Sequence, residues 1–353
     1  MSRAGFYDKL ILYADCSFKG DVDMKIQESS LFCELTEDEL GRVIRSALGC
    51  GIVTAELKTG GMFNTTYFVK TDTAGDVILS VGPVNRHLIM PFERRCMETE
   101  AMIFALCREN GIPVSEVLAL DISKTVIDRD FMIVRYIPSC MLHEAAGQYP
   151  EEKSRLYREL AKNLRKIHSI KSPRFGRMQD VRDGGGFERQ SDFFKAEVED
   201  WISVAKNTGF FTEEDYEAFR AVGVKYVGIL DEVKEASVVH GDVSPMNTLI
   251  DNTGERPTLA AIIDPERGFW GDGEFDLAMI GYMLDEDFAA GYGYSAPRDE
   301  HSAIRWRIYE LLRRMFDCYV WGAEYNQNDN MVSTRNWIRK QAAELLAAEI
   351  TGV

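Results

Sequence analysis

The sequence predicts an α+β fold: a small antiparallel sheet with one helix towards the N-terminus, then a larger, mainly helical region. Three observations carry this. Strand-like runs at 52–59, 65–72 and 76–82 follow one another, with Gly60-Gly61 and Ala74-Gly75 supplying the turns. From residue 151 onwards, apolar residues recur mostly at helical spacing. Between these helices, two apolar runs end in acidic residues, Val239-His240-Gly241-Asp242 and Ala261-Ile262-Ile263-Asp264.

Taken in order, residues 1 to about 35 show no period and read as an N-terminal extension. Thr36-Glu37-Asp38-Glu39 is a capping box that opens a helix to about Leu48, which Gly49 and Gly51 end. After the three strands, Met90–Asn110 has helical spacing, with Met97, Ala101, Phe104 and Ala105 on one side and Gly111 as its stop. Val126–Ile137 is an apolar, strand-like run. Glu151–Ser169 is a helix with Leu156, Leu160, Leu164 and Ile167 on one face. The Gly- and Arg-rich stretch 173–186 reads as a loop. Helices are expected at Phe193–Lys206, Glu213–Arg220 and Val224–Lys234. Two short strands around 239–264 follow, then helices at Asp276–Leu284, Ile304–Tyr319 and Val332–Ile350. The expected division is 1–35, 36–137 and 138–353, with no internal repeat.

The 353 residues suffice for two lobes and an ample core. A formal net charge of −16 argues against a nucleic-acid or anionic-membrane surface. Such acidity would suit a cationic small-molecule substrate, although solubility alone accounts for it. Seven scattered cysteines with no C-x-x-C pair argue against a zinc site and fit reduced thiols in a cytosol. The N-terminal apolar patch, Leu10–Ala14, is too short and too charged at Asp8 and Lys9 for a signal peptide. No apolar run approaches the ~20 residues of a membrane helix.

The chemistry concentrates in His240-Gly241-Asp242, Asn247 and Ile263-Asp264. An Asp, an Asn five residues later and an Asp closing an apolar run are the polar groups that phosphoryl transfer needs. One carboxylate accepts a hydroxyl proton; the other two groups hold magnesium against phosphates. Gly271-Asp272 and Asp276-Leu277-Ala278 follow. With them the chain resembles the aminoglycoside phosphotransferase and choline kinase superfamily, small-molecule relatives of protein kinases.

That resemblance implies a two-lobed, protein-kinase-like fold that moves the γ-phosphate of ATP, with Mg2+, to a hydroxyl of a small molecule. An aminoglycoside-like antibiotic or amino sugar is the first acceptor class. A metabolic kinase for choline, a sugar or homoserine is the alternative, and a regulatory pseudokinase is the other. Asp242 would orient and deprotonate the acceptor, and Asn247 and Asp264 would hold the metal. His240 would brace the catalytic loop, and Asp272 and Asp276 would bond its backbone amides. The turn at Gly60, Gly61, Phe63 and Asn64 would approach the phosphates. The backbone of Val134, Arg135 or Tyr136 would meet the adenine edge. Glu266 is a candidate for cationic amines; Asp285, Glu286 and Asp287 read more simply as a solvated turn. One departure stands out. The third strand of the family usually carries Lys or Arg, paired with a helix glutamate. Here Ser80 falls in that slot opposite Glu100, and Lys70, Lys58 and Arg86 are the candidate replacements.

Overall fold

The computed structural model describes residues 29–58 and 62–349. The first helix, α1 (Glu37–Leu48), starts at the capping box. The Thr36 N–H donates to the Glu39 carboxylate at 2.9 Å, and the Glu39 N–H donates to the Thr36 hydroxyl at 3.3 Å. Leu40, Val43 and Ile44 form its buried stripe. They pack on one face of a five-stranded antiparallel sheet made of β1 (Ile52–Lys58), β2 (Thr65–Thr71), β3 (Asp76–Val81), β4 (Val117–Asp121) and β5 (Phe131–Arg135). Strand order is β1-β2-β3-β5-β4. Alternation sends Tyr67, Val69, Val77, Leu79 and Ile133 towards α1. Met132 and Val134 face the other way, where α2 (Cys96–Glu109) lays Met97, Ala101 and Phe104 against them.

Here the structure departs from the pattern reading in two places. The helix expected from Met90 begins only at Cys96, after a 3-10 turn at Phe92–Arg95 that follows Pro91. The strand expected from Val126 begins only at Phe131. The segment before it turns, with the Ser123 N–H and hydroxyl both bonded to Asp121 and Lys124 at φ 58°. Its preceding partner β4 was not anticipated. Its five residues are all half-buried and show no clean alternation.

The rest of the chain comprises β6 (Cys140–Met141), α3 (Leu142–Gln148), α4 (Lys153–Ile167), β7 (Lys171–Ser172), β8 (Gly176–Arg177), α5 (Met178–Arg182), α6 (Gln190–Ala205), α7 (Glu213–Lys225) and α8 (Val227–Leu230). Next come β9 (Ala236–Val239), β10 (Thr248–Asp251), β11 (Thr258–Ile262), β12 (Phe269–Gly271), α9 (Glu274–Met279), α10 (Glu286–Tyr292), α11 (Glu300–Tyr319) and α12 (Asn328–Ala347). The stretch 173–186, expected as a loop, holds β8 and α5. Trp201 anchors the helical core: it is fully buried, edge-on to Phe211, Tyr216 and Phe219, with its indole N–H donating to the Met315 carbonyl at 2.7 Å. Two small sheets, β7-β9-β12-β8 and β11-β10-β6, carry the segments with Asp242, Asn247 and Asp264 on their ends.

Of the expected extension, residues 1–28 lie outside the described residues. Its last part is tied down. The Ser30 N–H donates to the Glu324 carbonyl at 2.9 Å, and Leu31 is buried among Met62, Phe63, Val320 and Tyr325. No helix among the described residues is long and apolar enough to cross a membrane.

Candidate active site

Strand β9 delivers the chain to Gly241, whose φ is 83°. A Cβ there would lie 2.6 Å from the Arg267 carbonyl oxygen, so only glycine fits the turn. Asp276, on α9, holds this turn. Its two carboxylate oxygens accept the His240 and Gly241 N–H groups, each at 2.8 Å. His168 Nε2 lies 2.9 Å from the same carboxylate, and Tyr292 closes the chain at 2.6 Å from His168 Nδ1. His240 is buried, and burial lowers its pKa against the pull of Asp276 and Asp242. A neutral ring can accept, and its Nδ1 takes the Asp242 N–H at 3.3 Å.

Asp242 follows directly. Arg313, from α11, places Nη2 3.1 Å from its Oδ1 and donates through Nη1 to the Gly241 carbonyl at 2.8 Å. Asn247 Nδ2 donates to the Asp242 carbonyl at 2.8 Å and to its Oδ2 at 3.2 Å. Burial pushes the Asp242 pKa up, but Arg313 and Arg267 outweigh it and hold the carboxyl below its ordinary value. Asp242 is therefore ionised and oriented by two donors. Arg313 was not anticipated. In sequence it reads as half of an i,i+4 surface pair with Asp317, a pair that does form at 2.9 Å.

The β10–β11 pairing sets Thr248 opposite Ile262, and the Ile263 N–H donates to the Asn247 carbonyl at 3.0 Å. This brings Asp264 beside Asn247 and Asp242. Asp264 takes the left-handed conformation, φ 65°. Burial and the nearby Asp242 carboxylate raise its pKa to about 7. Among the described residues no hydrogen-bond donor meets the Asp264 carboxylate, and the Asn247 amide turns its N–H groups to Asp242, which leaves its oxygen available. The described residues hold no group of three or more His, Cys, Asp or Glu that could cage a metal. Two protein oxygens suit magnesium, which completes its shell with phosphates and water. The donor set therefore fits the ion.

Other expected residues sit elsewhere. Asp272 does not bond the catalytic loop: it accepts from Tyr309 at 2.9 Å, Arg305 at 3.2 Å and the Glu274 N–H at 3.0 Å, tying α9 to α11. Gly60 and Gly61 lie outside the described residues. Phe63 does not line a phosphate cradle; it is buried among Leu31, Met62, Ile89 and Tyr325. Asn64 Nδ2 donates to Glu266 at 2.9 Å, so Glu266 is tied to the N-terminal sheet and is not left free for an acceptor amine. Asp285 caps α10 by accepting the Phe288 N–H at 2.9 Å, and Asp287 pairs with Arg158. The N–H groups of Arg135 and Tyr136 already donate to Glu116 and Asp76, so neither can meet adenine; the Ile137 N–H has no partner among the described residues. The Tyr136 ring lies 4.7 Å from Phe68. Val134 lies in the ladder opposite Ile78. Ser80 pairs with Thr66 and Met132 on the α2 side of the sheet. No cation pairs with Glu100 among the described residues, and burial followed by Asp264 raises its pKa.

Beside this group lies a second acidic pair that the sequence did not reveal. Glu324 is fully buried, and neither carboxylate oxygen meets a donor among the described residues. Burial and adjacent Glu93 push its pKa well above the ordinary range. Between the ordinary and the raised value, the folded chain holds a proton that the unfolded chain has lost. Stability from this group therefore rises as pH falls through that window. Glu324→Gln is expected to raise the unfolding free energy at pH 8 by about 1–3 kcal/mol and to flatten its pH dependence. Urea titrations at pH 6 and pH 8 check this; equal gains at both pH values would contradict it.

The profile of the phosphotransferase enzyme family, APH, matches residues 55–307. The chain belongs to this family. It is a small-molecule phosphotransferase acting on hydroxyl groups, and it has the kinase-like α+β fold that the motifs implied. Among solved structures it is similar to a proposed fructosamine-3-kinase from Thermobifida fusca, at 15% identity over 89% of this chain and 100% of that one, with a TM-score of 0.62. It is similar to the streptomycin–ATP ternary complex of APH(2″)-IIa, at 15% identity over 90% and 98%, TM-score 0.59. It is also similar to APH(4)-Ia, at 17% identity over 89% and 100%, TM-score 0.58. At these identities the likeness shows the fold. No curated protein sequence matches the chain significantly.

Proposed function

We propose that this APH-family chain transfers the γ-phosphate of ATP to a hydroxyl of a small, polar, cationic acceptor, such as an aminoglycoside-like antibiotic or amino sugar. The observation that carries the reading is the ionised Asp242, held between Arg313 and Asn247 with Asp264 alongside. Asp242 orients the acceptor hydroxyl and takes its proton as the oxygen attacks phosphorus. Asn247 and Asp264 hold the magnesium that offsets phosphate charge. His240 and Asp276 keep the turn in place, and Gly241 lets it pass under the Arg267 carbonyl. Residues 36–137 serve the nucleotide and 138–353 the acceptor.

A cationic acceptor is supported by the net charge of −16. Relatives of similar fold have been solved with streptomycin and ATP, and with ADP and hygromycin B. The acceptor class is tested by ADP release in the presence of aminoglycosides, choline, homoserine, sugars and fructosamines. Turnover stimulated by amino-sugar compounds is expected. Stimulation by choline or a neutral sugar alone would replace this acceptor class, and no stimulated turnover with any acceptor, alongside intact ATP binding, would favour a pseudokinase.

A further inference from the structure

The sheet register identifies a cation for the position that Ser80 leaves uncharged. Lys58 pairs directly with Thr66, Thr66 with Ser80, and Ser80 with Met132. Residues directly opposite one another in an antiparallel ladder project to the same face. Lys58, Thr66, Ser80 and Met132 therefore form one rung across four strands, on the face against which α2 packs. Lys58 and Ser80 are two strands apart, about 10 Å at the backbone, and a lysine on one side of that span reaches towards its middle.

The other cations are placed less well. Lys70 stands on the rung of Thr54 and Asp76, four residues along β2 and about 13 Å from Thr66. Arg86 turns to Asp130 at 3.9 Å. Arg267 lies between Glu93 at 3.8 Å and Asp317 at 3.7 Å, close to Asp242. Lys58, by contrast, among the described residues makes one salt bridge, an exposed pair with Glu56 at 3.0 Å, their side chains 44% and 67% accessible, and such a pair is easily given up. Its Nζ lies 5.4 Å from the Phe68 ring that adjoins Tyr136; Lys70 Nζ lies 6.0 Å from the same ring, so the rung and not this contact separates the two lysines.

We propose that Lys58, on the first strand, binds the nucleotide phosphates in place of the third-strand cation, and that Glu100 is consequently left without a basic partner. This rests on the nucleotide-kinase reading above. The ligand class is a nucleoside di- or triphosphate, and its charged groups are what Lys58 recognises.

Calorimetry with adenosine, ADP and ATP tests it on wild type, Lys58→Ala, Lys70→Ala and Lys58→Ala/Ser80→Lys. Lys58→Ala should weaken ATP and ADP on the order of 10–100-fold, as expected for one charge-assisted bond, and leave adenosine unchanged. Lys70→Ala should leave all three unchanged. Moving the cation to residue 80, beside Glu100, should restore part of the ATP affinity. Unchanged ATP affinity in Lys58→Ala, or an equal loss for adenosine, overturns the Lys58 assignment while the kinase reading stands. Wild type that binds neither adenosine nor ATP overturns both.

Discussion

Asp242→Ala is expected to lower the rate of phosphate transfer by ~10²–10⁴-fold, the usual contribution of a positioned base. ATP affinity should change little, because the groups proposed to hold the nucleotide lie elsewhere. Loss of the carboxylate leaves Arg313 with Asp317 at 2.9 Å and with the Gly241 carbonyl at 2.8 Å, so the guanidinium is not stranded and the fold should persist. Steady-state kinetics with a productive acceptor, alongside nucleotide titration, check both halves. Near-normal turnover would remove Asp242 from the chemistry. Collapse of ATP binding would move it to the nucleotide side.

Asp264→Ala is expected to act on both steps. The carboxylate is the principal charged oxygen proposed for magnesium, and losing it should weaken magnesium-dependent ATP binding as well as transfer. A further effect separates this variant from Asp242→Ala. In the unliganded chain the Asp264 carboxylate is half-buried beside Asp242, without a donor among the described residues, and its charge is disfavoured there. Alanine at φ 65° adds backbone strain, so the stability half is read on Asp264→Asn, which tolerates that conformation: it should leave the unliganded protein as stable as wild type or more so at neutral pH, while in both variants ATP affinity loses its dependence on magnesium. Titration of ATP with and without magnesium, together with thermal unfolding, measures this. A folded variant whose ATP affinity still responds fully to magnesium would contradict the assignment.

Local features were well read from the sequence. The capping box at Thr36 forms with both reciprocal bonds, and the first three strands fall within a residue or so of their expected ends. These rest on short-range chemistry: a side chain three residues from a free N–H, or glycine turns between alternating runs. The proximity of Asp242, Asn247 and Asp264 was legible because they lie on one hairpin and its approach, so spacing alone brings them together. What escaped depends on long-range packing. Arg313 comes from a helix 71 residues after Asp242. Glu266 is a candidate for cationic amines in the sequence, but Asn64, 202 residues earlier, bonds to it. Phe63 beside the glycines suggested a phosphate loop; its size and apolarity sent it into the cluster with Leu31 and Tyr325. For Tyr136 the pattern did not show the state of its N–H, which the Asp76 carbonyl already occupies. Lys58 is a different case. Its candidacy could be read from the sequence, but the choice over Lys70 needed the register of β1 on β2.

The most direct measurement of the central claim is phosphorus NMR of ATP, magnesium and an amino-sugar acceptor, run with wild type and with Asp242→Asn. Wild type should convert the γ-phosphate into a phosphate monoester on an acceptor hydroxyl, with one ADP formed for each ester. Asp242→Asn keeps the side-chain shape but cannot take the proton, so it should form neither product at a comparable rate. Ester formation at the wild-type rate by Asp242→Asn, or release of the γ-phosphate only as inorganic phosphate by wild type, would contradict the account.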